Sequence, residues 1–253
     1  MKGFFITGTD TSVGKTAVTV GLLCWLRKNN INAIPMKPVQ TGAMESEGML
    51  FSQDLSFSLK SCNLELPRKE ILLLSPFCYK TACSPHLAAR MEGKYSDIKT
   101  IVKNLKILND IYDCMIVEGA GGIIVPLNKT KTMLDLMMGI NFPIILVARG
   151  SLGTINHTLL SINMLKASGL EIAGVVINDT VPENKKDRFI REDNISVISK
   201  LGQVKILAVI NYIPQIQRNG RKFLRSFENC LREKELILNR VRPDSMTQNS
   251  KKN

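Results

Sequence analysis

The stretch Gly8-Thr9-Asp10-Thr11-Ser12-Val13-Gly14-Lys15-Thr16 has the residue types and spacing to hold a phosphate chain. Glycines let backbone N–H groups turn inward around an anion, and the positive end of a following helix strengthens that cradle. Lys15 would reach terminal phosphates, and the Thr16 hydroxyl would serve magnesium. Five residues separate Gly8 from Gly14, one more than in the common form of such loops. A magnesium ion also needs carboxylates. Glu118 follows the apolar run Cys114–Val117, at a place that lies beside the phosphate loop in this architecture. After it, Gly119-Ala120-Gly121-Gly122 permits close backbone approach. Asp54 reads as an acid in a polar loop, where plain solvation explains it equally well. Lys37 closes another apolar run in Met36-Lys37-Pro38-Val39-Gln40-Thr41-Gly42. Such a strand end faces the ligand crevice of a parallel sheet, and a cation there could hold an anionic intermediate beside a phosphate. Gly150-Ser151-Leu152-Gly153-Thr154-Ile155-Asn156 opens a further helix, suited to a carboxylate or serving only as a strand-to-helix turn. His86 and His157 have no metal or triad partner at a recognisable spacing and read as packing residues.

These residues need a scaffold, and the apolar pattern supplies it. Short continuous apolar strands are expected at Lys2–Thr7, Asn32–Lys37, Cys114–Val117, Pro143–Ala148, Ile172–Ile177 and Val204–Val209. Helices are expected at Lys15–Lys28, Ser96–Asn109 and about Thr154–Ser168. This alternation predicts an α/β fold: a mostly parallel sheet of the P-loop type with helices on both faces. Residues 43–75 fit no element. Lys222–Val241 places Phe223, Phe227, Leu231, Leu238 and Val241 on one face of an expected C-terminal helix. One domain over 1–241 and a disordered polar tail over 242–253 are expected.

Bulk composition excludes several classes. Hydrophobic residues make up 44% and charged residues 22%, the profile of a globular chain. No apolar run approaches the roughly 20 residues of a membrane helix, and no secretory signal is evident. The net charge is +12, and ten Lys/Arg against four Asp/Glu in 216–253 supply half of it. With one Trp and no basic stripe interleaved with aromatics, nucleic-acid binding is not expected. The six cysteines form no CxxC pair, so a zinc site is not expected and a reducing cytoplasm is the simplest setting.

Taken together, GTDTSVGKT (8–16), MKPVQTG (36–42), SPHLAA (84–89), VEGAGG (117–122), LGTINHTLL (152–160) and ND (178–179) resemble the dethiobiotin synthetase family. They stand in that family's order from residue 2 to about 214. The resemblance implies ATP- and magnesium-dependent carboxylation of 7,8-diaminopelargonate with carbon dioxide and closure of a cyclic urea, in a cytoplasmic homodimer. It implies that Ser12, Val13, Gly14, Lys15, Thr16 and Ala17, with Gly119, Ala120 and Gly121, line the ATP phosphates. Thr16, Asp54 and Glu118 would hold magnesium, and Lys15 and Lys37 would be catalytic. Asn178, Asp179, Ile213 and Pro214 would form the adenine side. Thr41 would contact the diamine, while Gly150, Ser151, Leu152, Gly153 and Asn156 would take the substrate carboxylate across the dimer. Many relatives have an acidic residue at Ser12, a glycine near Asn211 and a serine at Thr41, and the basic segment beyond about 216 does not match the family well, so no family role carries over to it.

Similar loops also occur in partition and cell-division ATPases, which act as switches. In that reading 222–241 would be a membrane-surface helix. Asp10 stands where those proteins carry a second signature lysine, and their switching role leaves SPHLAA and LGTINHTLL unexplained.

Overall fold

A computed structural model describes residues 1–182, 188–214 and 220–242. Among these residues the chain runs β1 (Gly3–Gly8), α1 (Lys15–Lys28), β2 (Ala33–Met36), β3 (Val39–Gln40), β4 (Met44–Ser46) and β5 (Met49–Phe51). Next come α2 (Gln53–Ser61), α3 (Arg68–Leu74), β6 (Phe77–Cys78), α4 (Pro85–Glu92), α5 (Ile98–Asn109), β7 (Cys114–Glu118) and α6 (Met133–Ile140). The chain ends with β8 (Ile144–Ala148), α7 (Thr154–Ala167), β9 (Ile172–Asn178), α8 (Arg188–Gly202), β10 (Ile206–Ile210), α9 (Gly220–Cys230) and α10 (Lys234–Val241).

Six strands form the main sheet in the order β10-β9-β8-β1-β7-β2, all pairs parallel. Parallel strands are buried on both faces, which is why each reads as an unbroken apolar run. Alternate residues point to opposite faces. Phe4 and Ile6 join a core with α1, α9 and α10, while Phe5 between them joins a second core with α5 and α6. Leu146, Val175 and Ile177 pack with Ile162 of α7 and Ile198 of α8 in a third. The mostly parallel P-loop sheet expected from the pattern is the one observed.

Residues 43–75 carry a hairpin, β4–β5, turning at Glu47-Gly48, both with positive φ, as a tight hairpin turn demands. Ser52 then caps α2 by accepting the Leu55 N–H on its Oγ.

The stretch 222–241 departs from expectation. It is two helices, α9 and α10, not one. Between them Leu231 bridges Ala208, and the Arg232 N–H donates to the Leu207 carbonyl at 2.8 Å. Strand β10 is an edge strand with open backbone groups, and the chain leaves the helix to satisfy them. Phe223 and Phe227 are fully buried against α1, and Leu231, Leu238 and Val241 are buried too. These residues therefore face the core, leaving no apolar stripe of their own for a lipid surface. Residues 243–253, most of the tail expected to be disordered, lie outside the described residues. Cys24 of α1 and Cys62 at the end of α2 form a disulfide, and the other four cysteines are free thiols.

Candidate active site

The loop between β1 and α1 turns on two residues with positive φ, Ser12 at 58° and Gly14 at 97°. Gly14 is fixed twice over: by that φ, and because a Cβ there would strike the Asn178 carboxamide. The Asn178 Nδ2 donates to the Val13 carbonyl at 2.9 Å, tying the loop to the end of β9. Lys15 opens α1, and its ammonium donates to the Asp10 carbonyl at 2.8 Å. Burial, then the positive charge of Lys37, pull the Lys15 pKa down to about 8. Val13 and Ala17 are buried beneath the loop.

Strand pairing brings the second charged group alongside. Met36 of β2 faces Val117 of β7, so Lys37 and Glu118 emerge together at the same sheet edge. The Lys37 ammonium lies 2.7 Å from Glu118 Oε1 and 2.9 Å from Asp54 Oδ2, and donates to the Gly119 carbonyl at 3.2 Å. Thr16 Oγ1 donates to the same Glu118 Oε1 at 2.8 Å. Burial works against the charged lysine, but Glu118 and Asp54 outweigh it and hold the Lys37 pKa above the ordinary lysine value. Asp54 is not in a polar loop. It sits in the first turn of α2, where the β4–β5 hairpin and the Ser52 cap place it. A carboxylate there is also favoured by the helix dipole.

These groups line one cavity of about 350 Å³, together with Ser12, Gly14, Thr41, Ala120 and Gly121. The cavity also includes Thr11, Val39 and Gln40, which sequence reasoning did not single out. Gln40 accepts the Ser52 hydroxyl at 2.7 Å and so links the Lys37 segment to the α2 cap. Its place inside MKPVQTG was the available signal. The donor set fits magnesium: a hydroxyl and two carboxylates, all hard oxygens, with both carboxylates on the Lys37 ammonium and the hydroxyl on Glu118. Among the described residues no group of three or more His, Cys, Asp and Glu forms a metal cluster. Further ligands would have to be phosphate oxygens and water, as magnesium prefers.

Other expected site residues lie apart from this cavity. Asp179 pairs with Arg191 of α8 at 2.5 Å, and the same guanidinium donates to Asn211 Oδ1 at 2.8 Å. Ile213 is buried in the core, and Pro214 is exposed beyond it. Ser151, Leu152 and Gly153 line a second cavity of about 110 Å³ with Thr9, Asp10, Arg149, Thr154 and His157. Asn156 is exposed on α7 and is not among its lining residues. Arg149 donates to the Thr11 carbonyl at 3.2 Å, joining this cavity to the phosphate loop. Arg149, Arg191 and Asn194 escaped the sequence reading because none stands in a segment whose pattern announces chemistry.

Comparison with known proteins follows the same lines. The profile of a family described as an AAA domain matches residues 2–219. The chain is 36% identical over 247 residues to a Clostridium kluyveri protein named ATP-dependent dethiobiotin synthetase BioD, covering 93% of this chain and 99% of that one. A protein of the same name from Anoxybacillus flavithermus is 41% identical over 215 residues, covering 84% and 93%. Among solved structures, the septum site-determining protein MinD of Pyrococcus horikoshii, complexed with Mg-ADP, superposes with a TM-score of 0.57 at 17% identity, over 89% of this chain and 92% of that one. A ParA family ATPase of Chlorobium tepidum gives 0.51 at 11%, over 94% and 92%. At those identities the structural likeness speaks for the fold alone.

Proposed function

The chain belongs to the ATP-dependent dethiobiotin synthetase family, and from that membership we propose that it closes the cyclic urea of dethiobiotin on 7,8-diaminopelargonate, using carbon dioxide and ATP. The observation that carries this reading is the meeting of Lys15, Lys37, Thr16, Asp54 and Glu118 in one cavity at the mouth of the phosphate loop. One amine adds to carbon dioxide and loses a proton, giving a carbamate. A carbamate oxygen then attacks the γ-phosphorus, and ADP leaves with the bonding pair. The second amine attacks the carbonyl carbon of the mixed anhydride and loses a proton, phosphate departs with the bonding pair, and the ring closes.

The chain's own residues bind and orient. Backbone N–H groups of 12–17 and the Lys15 ammonium hold the phosphates. Lys37 faces the anionic carbamate, and the Thr41 hydroxyl holds the diamine. No side chain needs to form a covalent bond, so the acceleration comes from placement and from charges fixed around the cavity. Thr16, Asp54 and Glu118 would hold magnesium, which when bound neutralises charge on the phosphate oxygens. Asn178, Asp179, Ile213 and Pro214 are assigned to the base side, and the turn Gly150–Thr154 to the substrate carboxylate. The partner is a second copy of the chain. Leu160 and Met164, one turn apart on α7, the helix that follows that turn, present exposed apolar surface, in support of an interface along it. The same setting is cytoplasmic, and the Cys24–Cys62 bond is the one feature that argues for a more oxidising one. No helix among the described residues is long and apolar enough to cross a membrane.

The test is direct. The purified protein with diamine, bicarbonate, ATP and magnesium should give dethiobiotin by mass spectrometry, with one ADP per product. ADP release without dethiobiotin would reject this reading.

A further inference from the structure

Helix α8 contributes no residue to either cavity, yet one of its faces grips the loops around both. Arg191 and Asn194 are three residues apart and therefore neighbours on the helix surface. Arg191 holds Asp179, next to the Asn178 that fastens the phosphate loop. Asn194 is 4% exposed, and its Nδ2 donates to the Gly150 carbonyl at 2.9 Å and to the Ser151 carbonyl at 3.3 Å. A Cβ on Gly150 would come within 2.5 Å of Asp179 Oδ1, so the turn lies directly on the Asp179–Arg191 pair.

The consequence lies in peptide geometry. In a trans peptide the N–H points opposite to the C=O. With the carbonyls of Gly150 and Ser151 drawn toward Asn194, the N–H groups of Ser151 and Leu152 point away from α8. Ser151 and Leu152 line the second cavity, and among the described residues neither N–H has a protein partner. Gly153, with φ at 90°, then leads into α7. We propose that Asn194 is a positioning residue for the substrate carboxylate: by holding two carbonyls inward, it aims two adjacent N–H donors at the anion. This rests on the assignment of the Gly150–Thr154 turn to that carboxylate under the proposed function.

The experiment compares two diamines in the full-length enzyme: 7,8-diaminopelargonate and 2,3-diaminononane, which has a methyl group in place of the carboxylate. Wild-type enzyme should favour the acid in kcat/KM by about tenfold or more, as expected for a charge-assisted pair of hydrogen bonds. In Asn194→Ala the KM for the acid should rise by a similar factor. Its kcat, its ATP affinity and its KM for 2,3-diaminononane should stay near wild type, so the preference collapses. A general loosening of the fold would weaken both diamines alike. Asn194→Asp keeps the shape but presents an acceptor to two acceptors, and it must lose the preference too. Should the wild type favour the acid while both variants keep that preference, the role given to Asn194 is wrong and the carboxylate site stands. Should the wild type itself show no preference, the carboxylate assignment fails, and the inference is overturned with it.

Discussion

Two cavities open at the same edge of the sheet, and they work by different means. The one at the phosphate loop is built from charges: two lysines, two carboxylates and a hydroxyl, each within 3 Å of another or of a backbone carbonyl. The one beside α7 is lined by the turn Ser151–Thr154 together with Thr9, Asp10, Arg149 and His157, and a buried carboxamide behind the turn holds the carbonyls of Gly150 and Ser151. In the proposed reading the first depends on residues that would touch substrate, and the second on a residue that would touch none. Single substitutions should therefore act at opposite depths in the two places.

The largest effect belongs to the charged cavity. Lys37→Met keeps the aliphatic stem and removes the charge, and steady-state assays should show turnover down by about 10²–10³-fold or more. The same variant leaves Glu118 buried beside Asp54 with no cation between them, so denaturant titration should show a loss of about 3–5 kcal/mol. Full stability would mean that the carboxylates find solvent or another partner, and the contrast between the two cavities would weaken.

The disulfide joins α1 to α2, the helices that carry Lys15, Thr16 and Asp54. Reducing it should cost about 2–4 kcal/mol of stability, by chain-entropy reasoning for a loop of this size. Because the bond braces only the charged cavity, magnesium-dependent ATP binding should suffer more than the preference for the substrate carboxylate.

Lys15 gives a pH signature. Its pKa is pulled down to about 8 in the folded chain, and phosphate oxygens favour the ammonium form. ATP binding above pH 8 should therefore take up a proton, visible by calorimetry in buffers of different ionisation enthalpy. Affinity should fall by up to about tenfold per pH unit beyond that point. For folding the sign is as follows. Between about 8 and the ordinary lysine value the unfolded chain binds more protons, so this group's contribution to stability rises with pH across that window. Proton release on binding would contradict the burial of Lys15. The smallest effect should come from Ser52→Ala, which removes the α2 cap at a cost of about 1 kcal/mol and slackens Asp54 without touching Glu118.

The contrast also explains what could be read from the chain alone. Charged chemistry leaves marks: a GKT after a glycine loop, and an acid or a lysine at the end of an apolar strand. Lys15, Lys37 and Glu118 were therefore legible, and the six parallel strands with them. Asp54 was seen but misplaced, since Ser52 caps a helix only once the hairpin before it has turned. Backbone recognition leaves almost no mark. Asn194 is a polar residue in the middle of a charged helical stretch, and nothing in the spacing says that its amide points inward. The break at Leu231 was hidden for a related reason. Both α9 and α10 keep the helical spacing, and the interruption is dictated by the distant edge of β10. Cys24 and Cys62, 38 residues apart and outside any motif, gave no sign of their bond.

The central claim is that the lysines of the charged cavity serve carbon dioxide fixation onto a diamine. Acid-stable incorporation of labelled bicarbonate tests it most directly, because a free carbamate decomposes in acid and a ring urea does not. The account predicts incorporation that requires diamine, ATP and magnesium together. It also predicts that Lys37→Met, while still binding ATP, incorporates less by about a hundredfold or more. Incorporation by that variant at the wild-type rate, or ATP hydrolysis by the wild type with no label retained, would contradict it.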